Sequence, residues 1–172
     1  MIDMNAATLV PVEEYLRTTY HPDCDYVDGE VLERNVGERD HSKVQRELIL
    51  YFGTRAKKWN LQVYPEQRVQ VSARRFRIPD VCVVIGPEPT DQIFRDPPFI
   101  CIEILSKDDT LDQMQEKIDD FLRFGVRYVW VINPRNRRAW VYSPDGSREI
   151  KDGVLRTENP SLAVPLVELF RD

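Results

Sequence analysis

The chain has 172 residues, 42% of them hydrophobic and 31% charged, a length that supports one domain with a substantial core and no staples. Its formal charge of −5, from 24 basic and 29 acidic residues, excludes a global attraction to nucleic acid, so such a partner would have to meet a local basic surface. No stretch is apolar enough to span a membrane, no signal segment opens the chain, and three cysteines with two histidines suit neither a disulfide framework nor a Cys/His zinc site.

These bounds predict a single domain over residues 1–172, cytoplasmic and without a membrane partner, with residues 1–10 as a leader. Pro11 to Tyr20 reads as a short helix, Pro11 being tolerated in its first turn. Cys24 falls in a polar turn. Asp25-Tyr-Val-Asp-Gly-Glu-Val-Leu-Glu33 predicts a β-hairpin, since Asp28-Gly29 suits a two-residue turn. Asp40 or Ser42 caps a helix running to about Lys58, with an apolar stripe of Val44, Leu48, Tyr51 and Phe52 and Ile49 beside it.

Leu61 to Ser72 and Phe76 to Ile85 are strand-like, and the proline-rich stretch from Gly86 to Pro98 is a loop. Phe99 to Leu105 is a strand. Thr110 to Phe124 is a helix ending at Gly125, with Leu111, Met114, Ile118, Phe121 and Leu122 as its core stripe. Tyr128 to Ile132 and Arg138 to Tyr142 pair through the Asn133-Pro134 turn. Weaker strands near Arg148 and Val154 and a short segment at Val164 to Phe170 follow. Helices are too few for a doubly wound sheet. The pattern predicts a mixed central sheet flanked by helices, in the α/β class bordering on α+β.

Two acids interrupt runs that otherwise read as buried β: Asp80 in Arg77-Ile-Pro-Asp-Val-Cys-Val-Val-Ile85 and Glu103 in Phe99-Ile-Cys-Ile-Glu-Ile-Leu105. A buried carboxylate without a partner costs several kcal/mol, so it is normally paired, metal-bound or protonated. Mg²⁺ needs one or two carboxylates plus waters and phosphate oxygens, which these two could supply. Lys117, on the margin of the helical stripe after them, could orient water or stabilise a phosphorane oxyanion. The bland alternatives are a turn residue after Pro79 for Asp80 and an ion pair with an arginine such as Arg77 for Glu103. Arg68, Arg74, Arg75 and Arg77 lead directly into Asp80, which makes them the favoured phosphate contact over a solvated strand face.

The order of these pieces resembles the PD-(D/E)XK nuclease superfamily and, more narrowly, the bacterial Uma-two family of restriction-endonuclease-like proteins. The matching segments are Tyr26-Val-Asp-Gly-Glu30, His41 at a helix start, Ile78-Pro-Asp-Val81, Ile102-Glu-Ile-Leu-Ser106, Lys117 and Gly125-Val-Arg-Tyr-Val-Trp-Val-Ile-Asn-Pro134. They span roughly residues 12 to 142, which leaves 143–172 as a C-terminal extension. The resemblance implies a restriction-endonuclease-like fold, an endonuclease acting on DNA with Mg²⁺ (or Mn²⁺), and a homodimer. It assigns Asp80, Glu103 and the backbone carbonyl of Ile104 to the metal. Leu105 stands where the superfamily places its lysine, so Lys117 resembles the migrated lysine of several branches. Lys107 and Phe121 depart from the proline and tyrosine common in the family. His41 either caps or packs at its helix start or, with Arg75 and Arg77, faces the substrate, while Asp25, Glu30 and Glu47 either reach the cleft or are solvated. The alternative is a catalytically inactive dimeric module that binds nucleic acid or another partner. A structural protein with no nucleic-acid partner is a third reading.

Overall fold

The computed structural model describes residues 8–171, so most of the expected leader lies outside the described residues. Helix α1 (Val12–Arg17) precedes the hairpin of β1 (Cys24–Val27) and β2 (Glu30–Glu33). Helices α2 (Arg39–Gly53) and α3 (Ala56–Trp59) lead into β3 (Leu61–Pro65), β4 (Val69–Ser72), β5 (Arg75–Arg77) and β6 (Val81–Ile85). Strand β7 (Ile100–Ile104), α4 (Leu111–Phe124) and β8 (Tyr128–Asn133) come next. Strands β9 (Arg138–Ser143), β10 (Gly146–Glu149), β11 (Val154–Arg156) and β12 (Ala163–Pro165) then run to α5 (Leu166–Leu169).

Six strands form the main sheet in the order β10-β9-β8-β7-β6-β3. Neighbours are antiparallel except β7 and β8, a parallel pair that needs a crossover, which α4 provides. This is the predicted mixed sheet flanked by helices. The hairpin belongs to a second sheet, β2-β1-β5-β4, and its turn carries positive φ at both Asp28 and Gly29, the geometry for which that dipeptide is suited.

Strand alternation sorts the core into two faces. Val81 and Val83 of β6 and Ile100, Ile102 and Ile104 of β7 pack with Val44, Leu48 and Phe52 of α2. Cys82 and Cys101, on the opposite face, pack with Ile118 and Phe121 of α4, as small buried hydrophobes. Leu155, Leu162, Val164, Leu166 and Leu169 join the α2-side cluster, so the C-terminal residues complete the core rather than trail from it.

Several local expectations need correction. The long helix breaks after Gly53, and its N-cap is Glu38, with neither Asp40 nor Ser42 capping it. Each long strand-like segment divides in two. The first breaks at Glu66, whose φ is +48°, and the second at Pro79-Asp80, because proline cannot donate to a ladder. Cys24 lies buried in β1 rather than in a polar turn. Leu111, expected in the α4 stripe, is 90% exposed because it occupies the first helical turn, directly after the Thr110 cap.

Candidate active site

The β6–β7 register pairs Val81 with Ile102 and Cys82 with Cys101. Continued by one residue, it sets Asp80 opposite Glu103, on the face covered by α4. Helix α4 starts at the Thr110 cap, whose hydroxyl accepts from the Gln113 N–H, and ends at Gly125 with φ +114°. Between those fixed ends it presents Lys117 to Glu103, with Nζ 2.9 Å from Oε1. Asp80, Glu103, Ile104 and Lys117 line one cleft of about 300 Å³, with His41 and Arg34 on its wall.

Each acid has a distinct environment. Asp80 Oδ1 accepts from Arg34 Nη2 at 2.7 Å and Oδ2 from the Ile104 N–H at 2.7 Å, with His41 Nε2 3.3 Å from Oδ2. Its backbone carbonyl accepts from Gln45 Nε2 and from the Glu66 N–H, which pins the bend after Pro79. Burial alone would raise its carboxyl, but His41, Lys117 and Arg34 outweigh burial and hold it below the ordinary value. Burial likewise opposes charge on His41, yet contact with Asp80 raises the imidazole net.

Glu103 is 4% exposed, and burial pushes its carboxyl up to about 8 against the opposing pull of Lys117. Its Oε1 is enclosed without an aligned hydrogen bond, despite its closeness to the ammonium. Lys117 Nζ donates to the Ile78 carbonyl at 3.0 Å and lies 3.7 Å from Asp25 Oδ2. Burial opposes its charge, but Asp25 and Glu103 outweigh it and keep the ammonium protonated.

Arg75 and Arg77, expected at the phosphate, are turned inward. Arg77 is 3% exposed; its Nε donates to Asp120 Oδ2 at 2.7 Å and its Nη1 to Asp25 Oδ2 at 3.2 Å. Arg75 bridges Asp28 and Asp120, at 2.7 Å each. Arg68 lies over the Tyr15 ring. The physical reason is charge on the neighbouring elements: Asp28 of the hairpin turn meets Arg75, and Asp120 of α4 meets both arginines. Arg77 therefore positions Asp25, and through it Lys117. The alternative partner of Glu103 is corrected in the same way, since Lys117 and not Arg77 meets it.

Asp25 joins this network, whereas Glu30 is exposed and Glu47 pairs with Arg46 at 2.7 Å, outside the cleft. The sequence reading missed Arg34 and Asp120. A lone arginine in the Arg34-Asn35-Val36-Gly37 loop carries no periodic signal. Asp120 does carry one, because it falls three residues after Lys117 on the same side of α4.

Among the described residues no group of three or more His, Cys, Asp or Glu side chains is placed to hold a metal. Mg²⁺ does not need three, and the donor chemistry fits: two buried carboxylates share the cleft. His41 Nδ1 and Ser106 Oγ, on residues lining the same cleft, are enclosed without hydrogen bonds. Such a concentration of unsatisfied polar atoms marks a place where a ligand or solvent completes the structure.

The mixed sheet and its parallel βαβ unit set the fold, and the acid-lined cleft lies beside β6, β7 and α4. A crystal structure of a putative nuclease belonging to DUF820 from Anabaena variabilis ATCC 29413 superposes with a TM-score of 0.79. The two are 23% identical, over 92% of this chain and 96% of that one. The chain belongs to the Uma2 family, described as "Putative restriction endonuclease", whose profile matches residues 12–170. That match runs past Tyr142, where the sequence resemblance stopped, and takes in the buried C-terminal residues. A cryoEM structure of a DrdV–DNA complex aligns with 74% of this chain and 12% of that one, at 17% identity and a TM-score of 0.38. No curated protein matches the sequence.

Proposed function

We propose that the protein is a divalent-cation-dependent endonuclease that hydrolyses phosphodiester bonds of DNA, in which Asp80, Glu103 and the Ile104 carbonyl hold Mg²⁺ or Mn²⁺. The observation that carries this reading is the convergence of Asp80, Glu103 and Lys117 on one cleft, in a chain of this family. When bound, the cation lowers the pKa of an attached water and offsets charge on the phosphate. Lys117, held charged and aimed by Ile78 and Glu103, orients the attacking water and donates to the developing oxyanion. His41 keeps Nε2 on Asp80 and steadies that carboxylate.

The cleft lining itself is acidic, with seven acidic residues against three basic ones and His41. Such a site draws a cation before it accepts a polyanion, which supports cation-first binding. Supercoiled plasmid incubated with purified protein and MgCl₂ or MnCl₂ should be nicked or linearised, and Asp80→Ala or Glu103→Ala should abolish that cleavage. Cleavage that survives either substitution would overturn the assignment. We place the activity in a homodimer, as the family resemblance implies, with sedimentation velocity as its check.

One observation favours a second reading, a non-catalytic DNA-binding module. Arg34 already satisfies Asp80 and Lys117 already faces Glu103, so the charges can be balanced by the chain itself. DNA binding retained without metal binding at millimolar Mg²⁺ would select that reading.

A further inference from the structure

We propose that Arg34 is a displaceable counter-ion: it occupies the free oxygen of Asp80 in the cation-free protein and must leave before a divalent cation can bind there. The inference rests on the metal-site reading above and adds a competition internal to the chain.

The two oxygens of Asp80 are held very differently. Oδ2 meets the N–H of Ile104, part of the buried β7 backbone, which cannot move without breaking the sheet, and has His41 Nε2 farther off at 3.3 Å. Oδ1 meets a side chain rooted in the connection between β2 and α2. Apart from that bond, the Arg34 guanidinium is 3.7 Å from Glu66 Oε1, on a half-exposed side chain. Arg77, by contrast, is clamped between Asp25 and Asp120 and has no such freedom. Oδ1 is thus the oxygen whose partner can be exchanged.

Space and charge both allow the exchange. Arg34 stands on the wall between the cleft and a second hollow of about 350 Å³ lined by Asp23, Glu66 and Gln45. A guanidinium leaving Oδ1 can turn into that hollow, where Asp23 and Glu66 supply acceptors. A dication beside Asp80 and Glu103 would repel Arg34, so the two cations compete for one carboxylate.

The test is a titration of purified protein with MnCl₂, following free Mn²⁺ by electron paramagnetic resonance and the melting temperature in parallel. Arg34→Gln removes the competing charge and should bind Mn²⁺ about tenfold more tightly than the wild type, the scale of one charge-assisted hydrogen bond. Its melting temperature should be lower without metal and gain more on saturation. Arg34→Lys keeps a cation and should fall between the two. A purely structural arginine predicts the reverse, with weaker Mn²⁺ binding in both variants, and that result would overturn the proposal. Equal affinity in wild type and Arg34→Gln overturns it alone, leaving the metal site standing. Titrations silent in all three proteins overturn the metal site and this inference together.

Discussion

The two faces of the main sheet solve different problems. Under α2, Val44, Leu48 and Phe52 meet Val81, Ile102 and Trp130 in a continuous apolar layer. Under α4 the same strands carry Cys82, Cys101, Val129 and Val131, but the layer is interrupted at one end by Asp80, Glu103 and Lys117, and beside them by Asp120. The first face stabilises the fold by removing apolar area from water, about 25 cal/mol per Å². The second gives up part of that gain to keep charges where water is scarce, a pattern expected of sites rather than of scaffolds.

The largest effect that would break this comparison comes from the apolar side. Phe52 is fully buried, with its ring centroid 6.1 Å from that of Trp130. Phe52→Ala should cost about 3–5 kcal/mol in urea unfolding, as large core deletions do. A loss near zero would mean that the α2 layer does not carry the stability assigned to it.

The next effect belongs to the charged face and has a sign that depends on pH. Glu103 titrates near 8 in the folded protein, above its ordinary 4.5, so between those values the folded state holds a proton that the unfolded chain has released. Its contribution is fully present below pH 4.5 and is lost as pH rises towards 8. At about 1.4 kcal/mol per unit the loss amounts to a few kcal/mol. Asp80 acts oppositely, because its value is lowered: its contribution is present above pH 3.8 and is lost in acid. Urea unfolding of the metal-free protein at pH 5 and pH 8 should show lower stability at pH 8. Glu103→Gln, which cannot ionise, should flatten the difference, and an unchanged slope in that variant would assign the pH dependence elsewhere.

These two faces were unequally legible in the sequence. Strand alternation, the Asp28-Gly29 turn and the Thr110–Gly125 helix were readable because each follows from local chemistry. Asp80 and Glu103 stood out because charge is costly in a buried strand. The partners did not. Arg34 meets Asp80 across 46 residues, and Arg77 meets Asp120 across 43, contacts set by sheet order and not by any spacing. Arg75 and Arg77 pointed towards phosphate because they lead directly into Asp80 along the chain. In the fold Asp28 and Asp120 meet them, so their charges serve α4 and the hairpin.

The smallest expected effect tests the boundary between the two faces on α4 itself. A 3.6-residue stripe places Leu111 with Met114, Ile118 and Phe121, yet periodicity describes a direction and not a depth. The first turn of α4 extends beyond the sheet, so Leu111 points to solvent at 90% exposure while Ile118, two turns on, is 1% exposed. Leu111→Gln should therefore change stability by no more than about 0.5 kcal/mol, whereas Ile118→Ala should cost about 2–4 kcal/mol. Equal losses at both positions would mean that the stripe, and not the depth of the helix over the sheet, decides which residues the α4 face buries.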